Sequence, residues 1–402
     1  LSGVPVKRAI ERLLRNVTVL PAEEAPLSNA CGRVLAETVG AAEPLPPFTR
    51  ALADGYAVRS RNLRGASAAS PVPLRISGSA LAGHPTNKAL SQGEAIEVTT
   101  GTLLPAKADA VLRQEYAETR GDTVLARRPV AKGEDVARVG SELRQGEVVA
   151  RAGYLLEPVG IGVLASMGVR SVLVRRKPRV GVISCGDELV SLGSRLGAGA
   201  IRDSNRMLLG CIVSRNGASE VTSIRARDTE RDVAKNVKRL LHMDLLVVTG
   251  GSGPGRADLV KQSLLRQGMR MKFDGVLMRP GHTCAFGILD GVPILMLPGT
   301  PPAVFVCGEV LLGRALRKMS GRRDIERPTV RARLVAPVKG HPVEDRYYTA
   351  CVTRKNRGYH VAPVRTMRSL RGVHTINGIL VVQAGKEQIP EGSMADVEMI
   401  EL

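Results

Sequence analysis

The 402-residue sequence has no tryptophan, and four phenylalanines with six tyrosines hold its aromatic fraction to 2%. Proteins that grip single-stranded nucleic acid need aromatic faces on which bases stack, so that class is disfavoured. The six histidines, at 84, 242, 282, 341, 360 and 374, show no metal-ligand spacing. The six cysteines, at 31, 185, 211, 284, 307 and 351, include no C-x-x-C pair, which disfavours a zinc site or a thioredoxin-like centre. In a chain this long they read as thiols of a reducing compartment. No Ser-His-Asp or Cys-His arrangement stands out. The longest near-apolar run, Val159 to Val169, falls well short of the ~18 residues of a membrane span. Leu1 to Arg15 carries Lys7, Arg8, Glu11 and Arg12 among apolar residues, so it reads as an amphipathic helix and not a signal peptide. The expectation is a soluble cytoplasmic protein with no membrane partner.

What the sequence has in excess is positive charge. Lys and Arg number 58 against 38 Asp and Glu, a formal charge of +20, which biases the chain toward anionic partners. Nucleic acid, an anionic membrane surface and a small anionic substrate compete, as does plain Arg-rich composition. The basic residues are dispersed and form no blocks, so a specific nucleic-acid partner ranks far behind. The 44% hydrophobic fraction is ordinary for globular protein. The length predicts two to four domains at ~100–200 residues each.

Val6, Ile10, Leu13 and Leu14 recur at helical spacing, and a second helix is expected over Ser28 to Thr38, stopped by Glu43-Pro44-Leu45-Pro46-Pro47. From about Phe48 to Val139, short β-type runs (Ala95–Thr100, Ala110–Arg113, Thr123–Arg127) read as a mostly β module. Gly146 to Val169 returns to strand and then helix. From Pro178, strands Arg179–Ser184, Glu220–Arg225, Asp244–Thr249, near Met271–Met278 and Pro293–Leu297 alternate with helices. Crossovers of that kind predict a largely parallel sheet covered on both faces. Thr329–Val335, Tyr347–Thr353, Tyr359–Val364, Gly378–Gln383 and Ala395–Leu402 predict a β-barrel-like or sandwich-like tail.

Ligands bind beyond the carboxyl ends of such a parallel sheet, and three clusters fall there: Ser184-Cys185-Gly186-Asp187-Glu188, the run 250–255 with Asp258, and Pro298-Gly299-Thr300-Pro301. Glycines at 250, 251, 253 and 255 allow backbone N–H groups to approach a phosphate. The run lacks the Walker Gly-Lys-Ser/Thr and the dinucleotide G-x-G-x-x-G spacing, and alone a tight strand–helix turn explains it equally well. Asp187, Glu188, Asp228 and Asp258 together suit Mg²⁺ on a phosphate. Singly, Asp228 is as well explained as a helix cap and Asp258 as a first-turn acid. Arg279 and His282, flanking Pro280-Gly281, can bind an oxyanion or simply form a solvated turn.

Taken in order, the motifs resemble those of the MoeA-type molybdopterin molybdotransferases, a family to which the gephyrin E domain is related. Pro44-Leu45-Pro46-Pro47-Phe48 with Ala53-Asp54-Gly55-Tyr56-Ala57-Val58 is similar to P-x-P-x-F…M-D-G-Y-A-V. Thr99-Thr100-Gly101 through Pro105, Asp109-Ala110-Val111 and Gln114-Glu115 follow. Ser184-Cys185-Gly186-Asp187-Glu188-Leu189 stands for S-T-G-D-E-L. Asp203-Ser204-Asn205, Gly250-Gly251…Gly255…Asp258, Arg279-Pro280-Gly281, Leu297-Pro298-Gly299 and Ile376-Asn377-Gly378-Ile379 complete the set. The resemblance implies an elongated chain of α/β plus β class. It has a doubly wound, mostly parallel α/β molybdopterin-binding domain, a β-rich insertion domain and a C-terminal β-barrel-like domain. The expected division is 1–45 with 140–175, 46–139, 176–325 and 326–402.

The resemblance further implies a homodimer that inserts molybdate into adenylylated molybdopterin with Mg²⁺ and releases AMP. A contact with the molybdopterin adenylyltransferase is among its implied partners. Asp54, Thr100, Glu188, Asp228 and Asp258 take catalytic positions, with Asp54 and Thr100 facing the partner chain's cleft and Asp228 and Asp258 on the metal. Ser184, Gly186, Asp187, Ser204, Gly250, Gly251, Ser252, Gly255, Arg279, Gly281, His282, Pro298, Gly299 and Thr300 line the substrate. There are departures: Arg279-Pro280-Gly281-His282-Thr283 replaces K-P-G-K-P, and Thr300-Pro301-Pro302-Ala303 replaces N-P-V-S. Gly253 and Gly275 stand where Ser and Lys are common. The expected alternatives to the standard enzyme are therefore a tungstate-preferring one, or an altered paralogue acting as a pterin-binding scaffold or regulator.

Overall fold

A computed structural model of the protein describes residues 3–218, 220–250, 257–355, 358–364 and 373–400. The chain packs as two compact units. One holds Leu1–Glu37, Ala152–Ile161 and Ser171–Leu402; the other holds Thr38–Arg151 and Gly162–Arg170.

Helix α1 (Val6–Arg15) buries Val6, Ala9 and Leu13 on one stripe and keeps its charges outside. The helix expected over Ser28 to Thr38 does not form. Leu27–Asn29 makes one 3-10 turn, Gly32 takes a φ of 73°, and Val34 and Leu35 then bridge Leu155 and Val174 as extended chain. Both side chains are buried, so tertiary pairing of an apolar dipeptide overrides a weak helical pattern.

The smaller unit is built on six strands: β1 (Gly55–Val58), β2 (Val72–Ala80), β3 (Glu94–Val98), β4 (Ala110–Arg113), β5 (Ala117–Arg120) and β6 (Thr123–Ala126). Their order is β4-β1-β3-β2-β6-β5, with only β2–β3 parallel. This is the expected β module.

The larger unit begins its sheet with β7 (Arg179–Cys185), α2 (Ser204–Arg215), β8 (Glu220–Ala226), α3 (Glu230–Leu240), β9 (Leu245–Gly250) and α4 (Ala257–Arg266). It continues with β10 (Arg270–Asp274), β11 (Ala285–Leu289), β12 (Val292–Leu297) and α5 (Pro301–Cys307), and the helical run extends to Met319. The order is β8-β7-β9-β12-β11-β10. The first four strands are mutually parallel and the last two antiparallel. Alternation along β7 sends Val180 and Val182 toward α2 and α5, and Ile183 toward α3 and α4. Both faces are thus dry, and each fully buried Val, Leu or Ile contributes about 1.5–3 kcal/mol. Strand β11 went unforeseen, its Ala285-Phe286-Gly287 being too short and too glycine-broken to announce itself.

Beyond it, β13 (Thr329–Leu334), β14 (Asp345–Lys355), β15 (Gly358–Pro363), β16 (Gly378–Val382) and β17 (Met394–Met399) close on themselves. β14 pairs both β15 and β16, β13 joins β15 to β17, and β17 returns to β16. A closed five-stranded barrel leaves no open edge. Among the described residues no helix is long and apolar enough to cross a membrane.

Candidate active site

From β7 the chain passes to β8 on one side of the sheet. From β9 it leaves for the opposite side, toward β10 and β12. Connections that diverge in this way open a crevice at the carboxyl ends of the two strands. A cavity of about 470 Å³ lies there. Its walls come from Ser184, Cys185, Glu188 and Leu189 after β7; Ile201, Arg202, Asp203, Ser204 and Asn205 ahead of and within α2; and Asp228 after β8. Thr249 and Gly250 close β9, and Gly299, Thr300 and Pro301 open α5.

The strand ends are held together by polar contacts that ordinary packing would not require. The Thr249 hydroxyl donates to Pro298 O at 2.6 Å, and Asn205 Nδ2 donates to Gly299 O at 2.6 Å, tying β9 and α2 to the loop after β12. Asp203, only 1% exposed, caps α2 by accepting from Arg206 N. It also accepts from the Ser184 hydroxyl at 2.5 Å and pairs with Arg206 Nε at 2.9 Å. Gly250 has φ 95°, and a Cβ there would sit 2.1 Å from Cys185 O, so only glycine lets β9 end against β7.

Asp228 lies one residue ahead of the N-cap of α3. The cap of that helix is Thr229, whose hydroxyl accepts from Asp232 N at 3.3 Å, so capping does not account for Asp228. Its own backbone N–H donates to Asp187 Oδ1 at 3.3 Å. Cys185 is 2% exposed. Burial pushes its thiol up to about 12, and Asp228, Asp232 and Asp203 push the same way. It is therefore a neutral wall at physiological pH and no nucleophile.

Of the residues expected from sequence, this cavity gathers Ser184, Glu188, Ser204, Asp228, Gly250, Gly299 and Thr300. Gly186 and Asp187 stand behind the wall in the β7 turn, Gly186 N donating to Ala226 O at 3.2 Å, and Pro298 supports it through Thr249. Arg279, Gly281 and His282 are not among its lining residues. Arg279 is exposed in a two-residue strand beside Asp345 and Arg346. Gly281, at φ 120°, packs against Cys307 and Met278, and His282 is exposed. Gly251, Ser252 and Gly255 lie outside the described residues, as does the side chain of Asp258, whose backbone is in α4. Asn205 and Thr249 were not foreseen as binding residues. The motif Asp203-Ser204-Asn205 carried a signal for Asn205, but Thr249 reads as one more β-branched strand residue. In the other unit, Asp54 Oδ1 accepts from Thr100 N at 2.6 Å and from Thr100 Oγ1 at 2.9 Å. The backbone bond first, then the hydroxyl, holds the Asp54 carboxyl below its ordinary value.

A doubly wound sheet with a cavity at its switch point, apolar over most of its lining and carrying a few polar side chains, defines an α/β domain built to hold a small ligand. The family described as "MoeA N-terminal region (domain I and II)" matches residues 4–168, and the one described as "Probable molybdopterin binding domain" matches 181–318. Molybdopterin molybdenumtransferase 1 of Mycobacterium tuberculosis is 30% identical over 400 residues, covering 93% of each chain. Molybdopterin molybdenumtransferase of Staphylococcus aureus is 28% identical, over 99% of this chain and 96% of that protein. The crystal structure of the MoeA protein of Pyrococcus horikoshii OT3 superposes with a TM-score of 0.84 at 28% identity, over 99% of this chain and all of that one. The chain belongs to the MoeA family of molybdopterin molybdenumtransferases. Its place is molybdenum cofactor biosynthesis, as a transferase; the scaffold alternative is not favoured.

Proposed function

We propose that the protein inserts molybdate into adenylylated molybdopterin and releases AMP, and that the cavity at the ends of β7, β9 and β12 is where it does so. The observation that carries this reading is the convergence of four separate stretches, bearing Glu188, Ser204, Asp228 and Thr300, on one 470 Å³ space. The size suits a small cofactor-like molecule, such pockets spanning ~300–1,000 Å³. The hydroxyls of Ser204 and Thr300 and the backbone of Gly250 and Gly299 can face phosphate and oxyanion oxygens. Holding molybdate beside the pterin sulfurs would make their reaction effectively intramolecular.

A magnesium ion fits the donor set. Magnesium takes one or two carboxylates and completes its octahedron with phosphate and water. Glu188 and Asp228 offer carboxylates in the cavity wall, Asp203 being committed to Ser184 and Arg206. Among the described residues no group of three His, Cys, Asp or Glu side chains is placed to hold a metal ion. Asp228 and Asp258 would hold it, and when bound it would neutralise charge on the departing phosphate. Arg279, Gly281 and His282 would act at the oxyanion end, and Gly251, Ser252 and Gly255 at the phosphate. The reading includes a homodimer in which Asp54 and Thr100 face the partner's cavity, an encounter with the adenylyltransferase that makes the substrate, and the four-part division given above. The separate sheets over 46–139, 176–325 and 326–402 support that division.

The test is to incubate the protein with adenylylated molybdopterin, Mg²⁺ and molybdate or tungstate, following AMP and bound metal. The reading expects AMP release with metal insertion, and the faster oxyanion names the cargo. Tight pterin binding without oxyanion-dependent turnover would contradict it.

A further inference from the structure

A second cleft, of about 260 Å³, lies at the other end of the α/β sheet. Arg175 and Lys177 reach it from just ahead of β7, Arg215 from the end of α2, Arg322 from beyond the last helix, and Arg33 from the N-terminal segment. The strands run from this end to the cavity described above, and seven residues of strand at about 3.3 Å each put the two roughly 20 Å apart. The cations do not arise from one local need. Arg215 sits in a helix's last turn, where a positive charge is favourable, but Arg33, Arg175 and Lys177 come from extended chain.

The acids nearby are already committed. Glu23 pairs with Arg33, Asp324 with Arg322, and Glu309 with Arg215 while also serving Arg327. Arg175 has no acidic partner among the described residues, its side chain making a long bond of 3.4 Å to Leu20 O. The Arg33 side chain is nine-tenths buried, and its Nε has no hydrogen-bond partner. Four of the five cations are half-buried. Like charges partly withdrawn from water repel one another and lose solvation, a cost that an anion among them removes. Gly32 and Gly217 put no side chain on the rim, which leaves room for a ligand of a few heavy atoms.

We propose that this cleft is an anion site for a phosphate-class dianion, separate from the candidate active site and independent of the transferase reading. Planar guanidinium groups at 33, 175, 215 and 322 match tetrahedral oxyanions with paired donors, and Lys177 adds a point charge. The cleft is smaller than ordinary cofactor pockets, so it suits a phosphate group, free or carried on an ester.

The experiment is calorimetric titration of inorganic phosphate into the full-length protein at low salt, with Arg175→Gln/Lys177→Gln as the variant and the thermal midpoint as the fold check. Saturable binding is expected, weakened at least tenfold in the double variant and falling as sodium chloride is raised. Should that variant melt early, Ser214→Asp at the exposed rim places a carboxylate among the cations and is expected to weaken phosphate by a similar factor. AMP separates the sources. Unchanged AMP affinity in the double variant assigns the cleft to free phosphate, whereas a parallel loss assigns it to a phosphate ester. No saturable phosphate binding, equal affinity in folded variant and wild type, or binding of an acidic peptide alone would overturn the proposal.

Discussion

Gly250→Ala isolates the geometry on which the cavity depends. At φ 95° an L side chain is strained by about 1–2 kcal/mol, partly offset by the ~0.4–1 kcal/mol that alanine gains by restricting the unfolded chain. Gly193, at φ 79° with nothing within 4 Å of its missing Cβ, carries that same balance and no more, so Gly193→Ala is expected within about 1 kcal/mol of wild type. At 250 the new Cβ would lie 2.1 Å from Cys185 O, and backbone on both sides cannot swing away as a side chain would. Strand β9 must part from β7 at the Cys185–Gly250 and Ser184–Thr249 pairs. Losing one or two ladder hydrogen bonds at about 1 kcal/mol each, together with loosened packing, brings the total to roughly 3 kcal/mol. Urea unfolding followed by circular dichroism reads it as a lower midpoint for the larger unit at unchanged slope. Equal midpoints for the two alanine variants would refute the steric argument.

Asp203→Ala removes a helix cap and strands the Ser184 hydroxyl and Arg206, and about 3 kcal/mol of stability is expected to go with it, read by the same urea titration. With a thiol-reactive dye at neutral pH, Cys31 and Cys211, both exposed, are expected to label fast and Cys351 more slowly. Cys185, Cys284 and Cys307 are buried and should label only on unfolding. Burial raises the Cys185 thiol, and the Cys307 contact followed by burial raises that of Cys284. Rapid labelling of Cys185 would show that the cavity wall is open. Because its folded pKa is depressed, Asp54 contributes stability above its unfolded value, and this is lost as pH falls through the folded one. Thr100→Val should raise the Asp54 titration only part of the way back, since the backbone bond, the larger cause, remains. Carboxyl-resolved NMR titration measures this, and an unmoved Asp54 would contradict it.

The fold was legible where pattern and topology agree. Arg179–Ser184 and Asp244–Thr249, apolar on both faces, announced a buried parallel sheet. The acids at their far ends then announced the cavity, which holds Glu188 and Asp228 together. The barrel strands were readable from turn residues at regular spacing, although closure through the β14–β16 pairing is a long-range event that no local pattern encodes. The misreading of Ser28 to Thr38 has the same origin, because Val34 and Leu35 serve a pairing with Leu155 and Val174 from distant chain. Arg279 and His282 were expected as an oxyanion clamp; Arg279 stands in a two-residue strand beside Asp345 and Arg346, His282 is exposed, and neither is among this cavity's lining residues.

The central claim is that Asp228 serves chemistry and its neighbour Thr229 serves the fold. Single-turnover AMP release from adenylylated molybdopterin, at saturating molybdate and Mg²⁺, separates the two. Thr229→Ala is expected to cost about 1 kcal/mol in a urea titration and to leave the rate within a factor of a few. Asp228→Asn, which keeps the side chain's size, is expected to stay folded and to slow AMP release by at least a hundredfold, about 2.7 kcal/mol of lost transition-state stabilisation. An Asp228→Asn protein that is folded and turns over like wild type would contradict the account.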